Sequence, residues 1–325
     1  MLFVMSSLPR RPVRASRPVR IVVLGDLVLD VVLAPGRTLV AGTDVPGRVS
    51  LSQGGSAAST ARWLARLGAR ATLITSVGRD TAGRALLAGL RDDGVVVHAA
   101  RPAGRRTGRI GVIVGSHGER SFVADREAAD ELAPGDLRAS WFRGVDALHL
   151  PFYSLVGQPL GEAGARAIQL ARAAGARISL DLASSGPLLA GGRRAAVRQV
   201  AQAAPDVLFA TADEAQALLG EGPLERLLSL TPLAVVKRGA KGATVLAQGG
   251  GAEASDRLRF EVATRPIEAI DTTGAGDAFD AGFLATWLQF SPEDVGLGSA
   301  LRRSAVAGHR AAARQLTAPR RELSL

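Results

Sequence analysis

A three-layer α/β/α domain with a mostly parallel central sheet and a small β-sheet appendage is the fold class that this sequence predicts. Three observations predict it. Short apolar runs of strand length recur along the chain, most of them ended by a glycine, a proline or a polar residue. Between several of them, apolar residues repeat at helical spacing. Two segments, 31–53 and 107–124, carry strand-like patterns with no crossover helix. The 325 residues are 47% hydrophobic, enough for one large domain with a substantial core.

The elements follow in order. Ile21-Val22-Val23-Leu24, stopped by Gly25, reads as a strand buried on both faces, since a sheet covered on both sides needs no polar alternation. Gly54-Gly55-Ser56 then opens a helix whose face is Ala57, Ala61, Leu64 and Gly68, followed by a strand over 71–77. Gly83, Leu86, Leu87 and Leu90 share the next helical face. Strands are expected over 145–150, 178–182, 206–210, 233–237 and 243–246. Helices on Ala163, Ala167, Leu170 and Ala174, and on Val197, Val200, Ala201 and Ala204, precede the second and third of these. Strand alternating with helix argues for a parallel sheet with helices on both faces. Segment 31–53 is punctuated by Pro35, Gly36, Gly42, Pro46 and Gly47. Segment 107–124 alternates Ile110, Val112 and Val114, turns at Gly115-Ser116-His117-Gly118, and resumes at Phe122. These strands form either a lid over a site or an edge extension of the sheet.

Composition excludes several function classes. There is no cysteine, hence no disulfide and no thiolate chemistry. His98, His117, His149 and His309 lack metal-ligand spacing. No apolar run is long enough to cross a membrane. The formal charge is +10, carried almost wholly by arginine. Residues 1–20 hold Arg10, Arg11, Arg14, Arg17 and Arg20 and no acid. They are expected to be a disordered basic tail, the folded domain spanning 21–318. A nucleic-acid arm is the alternative reading of that tail.

Four constellations carry chemistry. Asp271-Thr272-Thr273-Gly274-Ala275-Gly276-Asp277 runs into an apolar helix. Backbone N–H groups at a helix N-terminus form an anion site, and small residues let the anion approach. A carboxylate in the same turn repels a simple anion. It makes sense as a base that takes a proton from an attacking hydroxyl, which points to phosphoryl transfer. Asp30, just beyond the first strand, is placed to accept from sugar hydroxyls, whereas Asp26 suits a turn cap. Gly54 and Gly55 let backbone approach a substrate. Lys237-Arg238-Gly239-Ala240-Lys241-Gly242 is a turn between two apolar strands and lacks the Ser/Thr of a P-loop.

Taken together, Asp-Thr-Thr-Gly-Ala-Gly-Asp-Ala-Phe, Gly-Gly-Ser-Ala-Ala-x-x-Ala-x-x-Leu-Ala-Arg-Leu-Gly, Val77-Gly78-Arg79-Asp80, Thr107-Gly108 and Gly118-Glu119-Arg120-Ser121-Phe122 resemble the PfkB, or ribokinase-like, carbohydrate kinases over roughly residues 21–300. The resemblance implies a ribokinase-like fold with a β-lid and transfer of the γ-phosphate of ATP, with Mg²⁺, to a sugar-type hydroxyl in the cytoplasm. It implies Asp277 as general base, with Gly274, Ala275 and Gly276 stabilising the transferring phosphoryl group. Asp30, Gly54, Gly55 and Ser59 fall on substrate positions. Lys237, Gly239, Gly242, Thr211 and Glu214 fall on nucleotide and Mg²⁺ positions. Asp271 and Thr273 fall near a monovalent-cation, K⁺, site. A homodimer through the lid is implied as well. The sequence departs from the family at Thr211 and Ser59, each in place of Asn, at Val28 in place of a ribokinase-like Asn, and at Ser304–Gln315, which lacks the usual Gly-Ala ending. The substrate stays open between a sugar and a nucleoside, for which Val32, Leu33, Leu39 and Val40 would supply an apolar lid. A kinase-fold sugar or nucleoside sensor with little turnover is the reading from another class.

Overall fold

The β-rich runs and the helical stretches assemble around one nine-stranded sheet. The structure is a computed structural model that describes residues 17–115, 120–249, 257–269, 271–290, 296–318 and 321–324. Its strands are β1 (Arg20–Leu24), β2 (Val28–Pro35), β3 (Gly47–Gly54), β4 (Arg70–Ser76), β5 (Val96–Ala100), β6 (Arg109–Val114), β7 (Arg120–Asp125), β8 (Ala147–Pro151), β9 (Arg177–Asp181), β10 (Val207–Thr211), β11 (Leu233–Lys237), β12 (Ala243–Ala247) and β13 (Leu258–Val262). The helices are α1 (Ser56–Arg66), α2 (Thr81–Asp92), α3 (Leu160–Ala173), α4 (Ser185–Leu189), α5 (Arg193–Ala203), α6 (Ala212–Leu219), α7 (Ala275–Trp287) and α8 (Leu297–Thr317).

The large sheet runs β13-β12-β11-β10-β9-β8-β1-β4-β5. It is parallel from β11 to β5, and β12 and β13 are antiparallel additions. Successive side chains of a strand face opposite ways, so Ile21 and Val23 enter one core while Val22 and Leu24 enter the other. The first core packs α1, α2, α7 and α8; the second packs α3 to α6. Both faces are covered, which is why these strands read as continuous apolar runs. The expected three layers are present.

The appendage is a separate four-stranded sheet of order β3-β2-β6-β7, with β2 parallel to β6 and antiparallel to β3. It is therefore not an edge extension of the large sheet. Its root is pinned by Asp80, which caps α2 by accepting from the Gly83 N–H at 2.9 Å and also accepts from the Thr107 N–H at 2.9 Å. The Val77–Gly83 and Thr107–Gly108 motifs are thus one junction. The ordered chain begins before Ile21: Val19 is buried in the first core, and Arg17 pairs with Asp146 at 2.6 Å. Residues 1–16 of the expected tail and most of the expected turn at 115–118 lie outside the described residues. No described helix is long and apolar enough to cross a membrane.

Candidate active site

The carboxyl ends of the central strands converge with the N-termini of α1 and α7, the place where open α/β sheets bind ligands. Gly274 adopts the left-handed conformation (φ 78°) as the N-cap of α7, a conformation that costs glycine nothing. The helix behind it is buried from Ala278 to Ala285, so its first turn is rigidly held. First-turn N–H groups have no helical acceptor. That of Ala275 bonds the Thr272 carbonyl at 3.3 Å within the turn, which leaves those of Gly276 and Asp277 as the amides the helix itself does not engage.

Asp277 sits in the first turn, half-buried. Ser56 Oγ, at the start of α1, donates to its Oδ1 at 2.6 Å. Burial pushes its carboxyl up to about 7; the Ser56 hydrogen bond opposes the rise, and the negative field of Asp181 adds to it. A base poised near neutral pH is efficient in proton transfer. Removing the Ser56 hydroxyl should therefore move the acid limb of the kcat/KM profile upward. The expected shift in Ser56→Ala is about 1 pH unit, the scale of one hydrogen bond to a charged group. An unchanged profile would deny that Ser56 tunes this carboxyl.

Asp30 lies on β2, buried, with its carboxylate against the α-carbon of Gly54. A Cβ added at Gly54 would fall 1.9 Å from Asp30 Oδ1, so only glycine allows the approach. Gly55 (φ 98°) turns the chain into α1, with Asp26 accepting from the Ala57 N–H at 3.2 Å as the expected cap. Asp30, Gly54, Gly55, Ser56 and Asp277 thus form one connected line from the lid to the base.

The structure also places the other residues that the motifs suggested. Ser59 lies one turn further along α1. It lines a small cavity of about 90 Å³ with Ser52, Thr273, Gly274 and Gln315. Lys237 does not project from its turn. Its ammonium is buried between Asp280 (3.1 and 3.2 Å) and Asp181 (3.2 Å), and a Cβ at Gly276 would lie 3.4 Å from its Nζ. Burial works against this charge, but Asp181, Asp280 and Glu214 outweigh it and the pKa is raised. Lys237 is thus a charge beneath the α7 turn, because two buried carboxylates hold it inside. Gly239 and Gly242 remain on the turn, both with positive φ. Thr211 and Glu214 form a capping box at α6: Thr211 Oγ1 accepts from the Glu214 N–H (3.2 Å) and Glu214 accepts from the Thr211 N–H (2.8 Å). Thr211 in place of Asn thus keeps a side-chain cap at the start of α6.

Asp181 and Asp280 were not singled out in the sequence. Asp280 is one helical turn past Asp277, which is the available signal; Asp181 has only its place at a strand's carboxyl end. Among the described residues no group of three or more His, Asp or Glu side chains is placed to hold a metal.

The residues expected near a monovalent cation lie on the loop before α7. Asp271 Oδ1 accepts from the Thr273 N–H at 2.8 Å and meets Arg120 Nη2, from lid strand β7, at 2.6 Å. The Thr273 carbonyl accepts from Gln315 Nε2 at 2.9 Å, and Gln315 Oε1 in turn accepts from Trp63 Nε1 at 2.9 Å. The Thr273 hydroxyl oxygen is buried with no hydrogen-bond partner among the described residues.

A pfkB family carbohydrate kinase model matches residues 19–321. The chain belongs to the pfkB family of carbohydrate kinases. It is 33% identical over 277 residues to a fructokinase of Klebsiella pneumoniae, covering 82% of this chain and 83% of that one. A crystal structure of fructokinase from Vibrio cholerae O395 with fructose, ADP and calcium superposes with a TM-score of 0.74 at 27% identity, covering 92% and 93% of the chains. A double mutant of that fructokinase with fructose, ADP and potassium gives 0.74 at 25% identity, covering 94% of each chain. The protein is a phosphotransferase acting on an alcohol group, with the ribokinase-like fold.

Proposed function

We propose that this kinase transfers the γ-phosphoryl group of ATP to a hydroxyl of a free sugar, a fructose-like hexose first among candidates, and that Asp277 is its general base. The observation that carries the reading is the Ser56–Asp277 hydrogen bond, which ties the glycine turn under Asp30 to the N-terminus of α7. Asp30 accepts hydrogen bonds from sugar hydroxyls and fixes the ring. Asp277 takes the proton of the hydroxyl that attacks, and the Gly276 and Asp277 amides stabilise the phosphoryl oxygens. ATP brings the transferable group, and Mg²⁺ at its phosphates would neutralise their charge. Gly239 and Gly242 shape the turn that faces the nucleotide. The lid sheet excludes water, so that the phosphoryl group passes to sugar and not to solvent. The exposed lid residues Val49, Phe122 and Val123 would be covered in a homodimer.

The fructokinase relatives support the hexose. The test is ADP release from ATP and Mg²⁺ with fructose, ribose, a sugar acid, ribose 1-phosphate and adenosine. Fructose is expected to give the highest kcat/KM. Phosphorylation of adenosine alone would replace the sugar by a nucleoside, and ligand binding without ADP release would make the protein a sensor.

A further inference from the structure

A cavity that shares no residue with the active site lies along the free edge of the large sheet. Its volume is about 610 Å³, within the range of small-molecule sites. The edge strand β5 contributes Val97 to Ala100, and Arg101 follows. An edge strand turns unpaired backbone N–H and C=O groups outward. Arg91 comes from α2, and Arg138 and Trp141 from the segment before β8. Three guanidinium groups thus line one cavity against a single carboxylate, that of Asp136, which accepts from the Ala133 N–H at 2.9 Å. None of the three forms an ion pair among the described residues. Arg101 Nε is buried without a hydrogen-bond partner among them, and a donor left so is costly until an acceptor arrives. His98 stacks on Trp141 with ring centroids 4.1 Å apart, and the Arg138 guanidinium lies 5.9 Å from the Trp141 ring. Burial and then the charge of Arg138 lower the pKa of His98, as a positive field would.

The wall of this cavity reaches the root of the lid. Arg101 Nη2 donates to the Gly78 carbonyl at 2.7 Å, and Arg79 Nε donates to the Arg101 carbonyl at 3.0 Å. Gly78 packs directly on the chain that enters the lid: a Cβ there would fall 2.3 Å from the Thr107 nitrogen. Thr107 is the residue that Asp80 clamps, just before β6. We propose that the cavity is an effector site for a small phosphate ester of a polyol, a sugar phosphate being the type, and that Arg101 couples it to the lid. Arg91 and Arg138 take the phosphate, since guanidinium groups match its geometry. The cavity is larger than a bare phosphate needs, and the outward backbone of β5 meets the hydroxyls of the polyol. A guanidinium carries five N–H donors, so Arg101 can hold Gly78 and an ester oxygen together. A bound ester thus fixes Arg101, and through it the junction on which the lid stands. The inference goes beyond sugar phosphorylation, and binding is read without turnover, so the two readings stand or fall separately.

The test is calorimetric titration with ribose 5-phosphate, beside inorganic phosphate and ribose. It compares the wild type, Asp30→Asn, and a variant carrying both Arg91→Ala and Arg138→Ala. Arg91 and Arg138 are exposed, so the double variant should fold and keep its basal kcat/KM. Ribose 5-phosphate is expected to bind the wild type and Asp30→Asn alike. It should bind the double variant at least about tenfold more weakly, the scale of a lost hydrogen bond to a charged group. Binding that survives in the double variant and fails in Asp30→Asn belongs to the active site and overturns the proposal. Absence of binding to the wild type, or inorganic phosphate bound as tightly as the ester, overturns it too. Coupling is read in turnover of the best sugar of the panel. Saturating ribose 5-phosphate should change the KM for that sugar at least about fivefold in the wild type and leave Arg101→Ala and the double variant unmoved. An equal change in the double variant, or a wild type that binds the ester with KM and kcat unchanged, sinks the effector role.

Discussion

Replacing Asp277 by Asn lowers kcat/KM by about 10²–10⁴-fold, the usual cost of losing a general base, and raises the melting temperature at neutral and alkaline pH. The two effects have one cause. The side chain is held where ionisation is disfavoured: burial pushes its pKa from an ordinary 3.8 to about 7. A carboxyl whose folded pKa lies above its unfolded value stabilises the fold, relative to its ionised form, fully below pH 3.8. That contribution is lost as the pH rises through 7. At pH 8 the wild type therefore carries an unfavourable buried charge that Asn lacks, while Asn can still accept from Ser56. After allowance for solvent in the cleft, the gain is about 1–3 kcal/mol, or about 2–8 °C in Tm. The difference should shrink between pH 7 and 4. Melting curves across that range, beside turnover at pH 8, check both halves. An active, unstabilised variant would remove Asp277 from the role of base.

The sequence disclosed the fold through its both-face-buried strands, and the site through the small-residue turn of 274–276 followed by an acid. Those signals are local: periodicity and turn chemistry are written in neighbouring residues. Strands with weaker patterns escaped. β5 is an edge strand with Val96 exposed, and β13 alternates, so neither shows a continuous apolar run. The lid could not be told from a sheet extension, because β2 pairs in parallel with β6, Leu29 opposite Arg109, and no local signal encodes a pairing so distant in sequence. Side-chain partners were the least legible. Nothing near Lys237 announces Asp181 and Asp280, 56 and 43 residues away, and a lysine beside a Gly-rich turn reads equally well as a phosphate ligand. Arg120 stood in a recognisable motif, but nothing in that motif announced Asp271 as its partner.

Lys237→Met should destabilise the protein by about 3–5 kcal/mol, the range found when one partner of a buried ion pair is removed. Asp280 is fully buried and Asp181 nearly so, and both would lose their shared cation. Burial and the field of Asp181 already raise the pKa of Asp280; Lys237 is the group that holds it down. Without the ammonium, Asp280 should take up a proton, so the defect should lessen as the pH falls, whereas an ordinary packing defect would not respond to pH. Asp280→Asn in the Lys237→Met background should recover part of the loss, because Asn removes one uncompensated charge without changing shape. Denaturant midpoints at pH 5 and 8 for the single and double variants separate these cases. The same cluster bears on chemistry. Lys237 lies under Gly276, and Asp181 contributes to the raised pKa of Asp277. Where the variant is folded, the acid limb of its kcat/KM profile should lie higher than in the wild type, since an ammonium that favoured ionised Asp277 has gone. A variant with unchanged stability and an unchanged profile would show that Lys237 neither braces the α7 turn nor tunes the base above it.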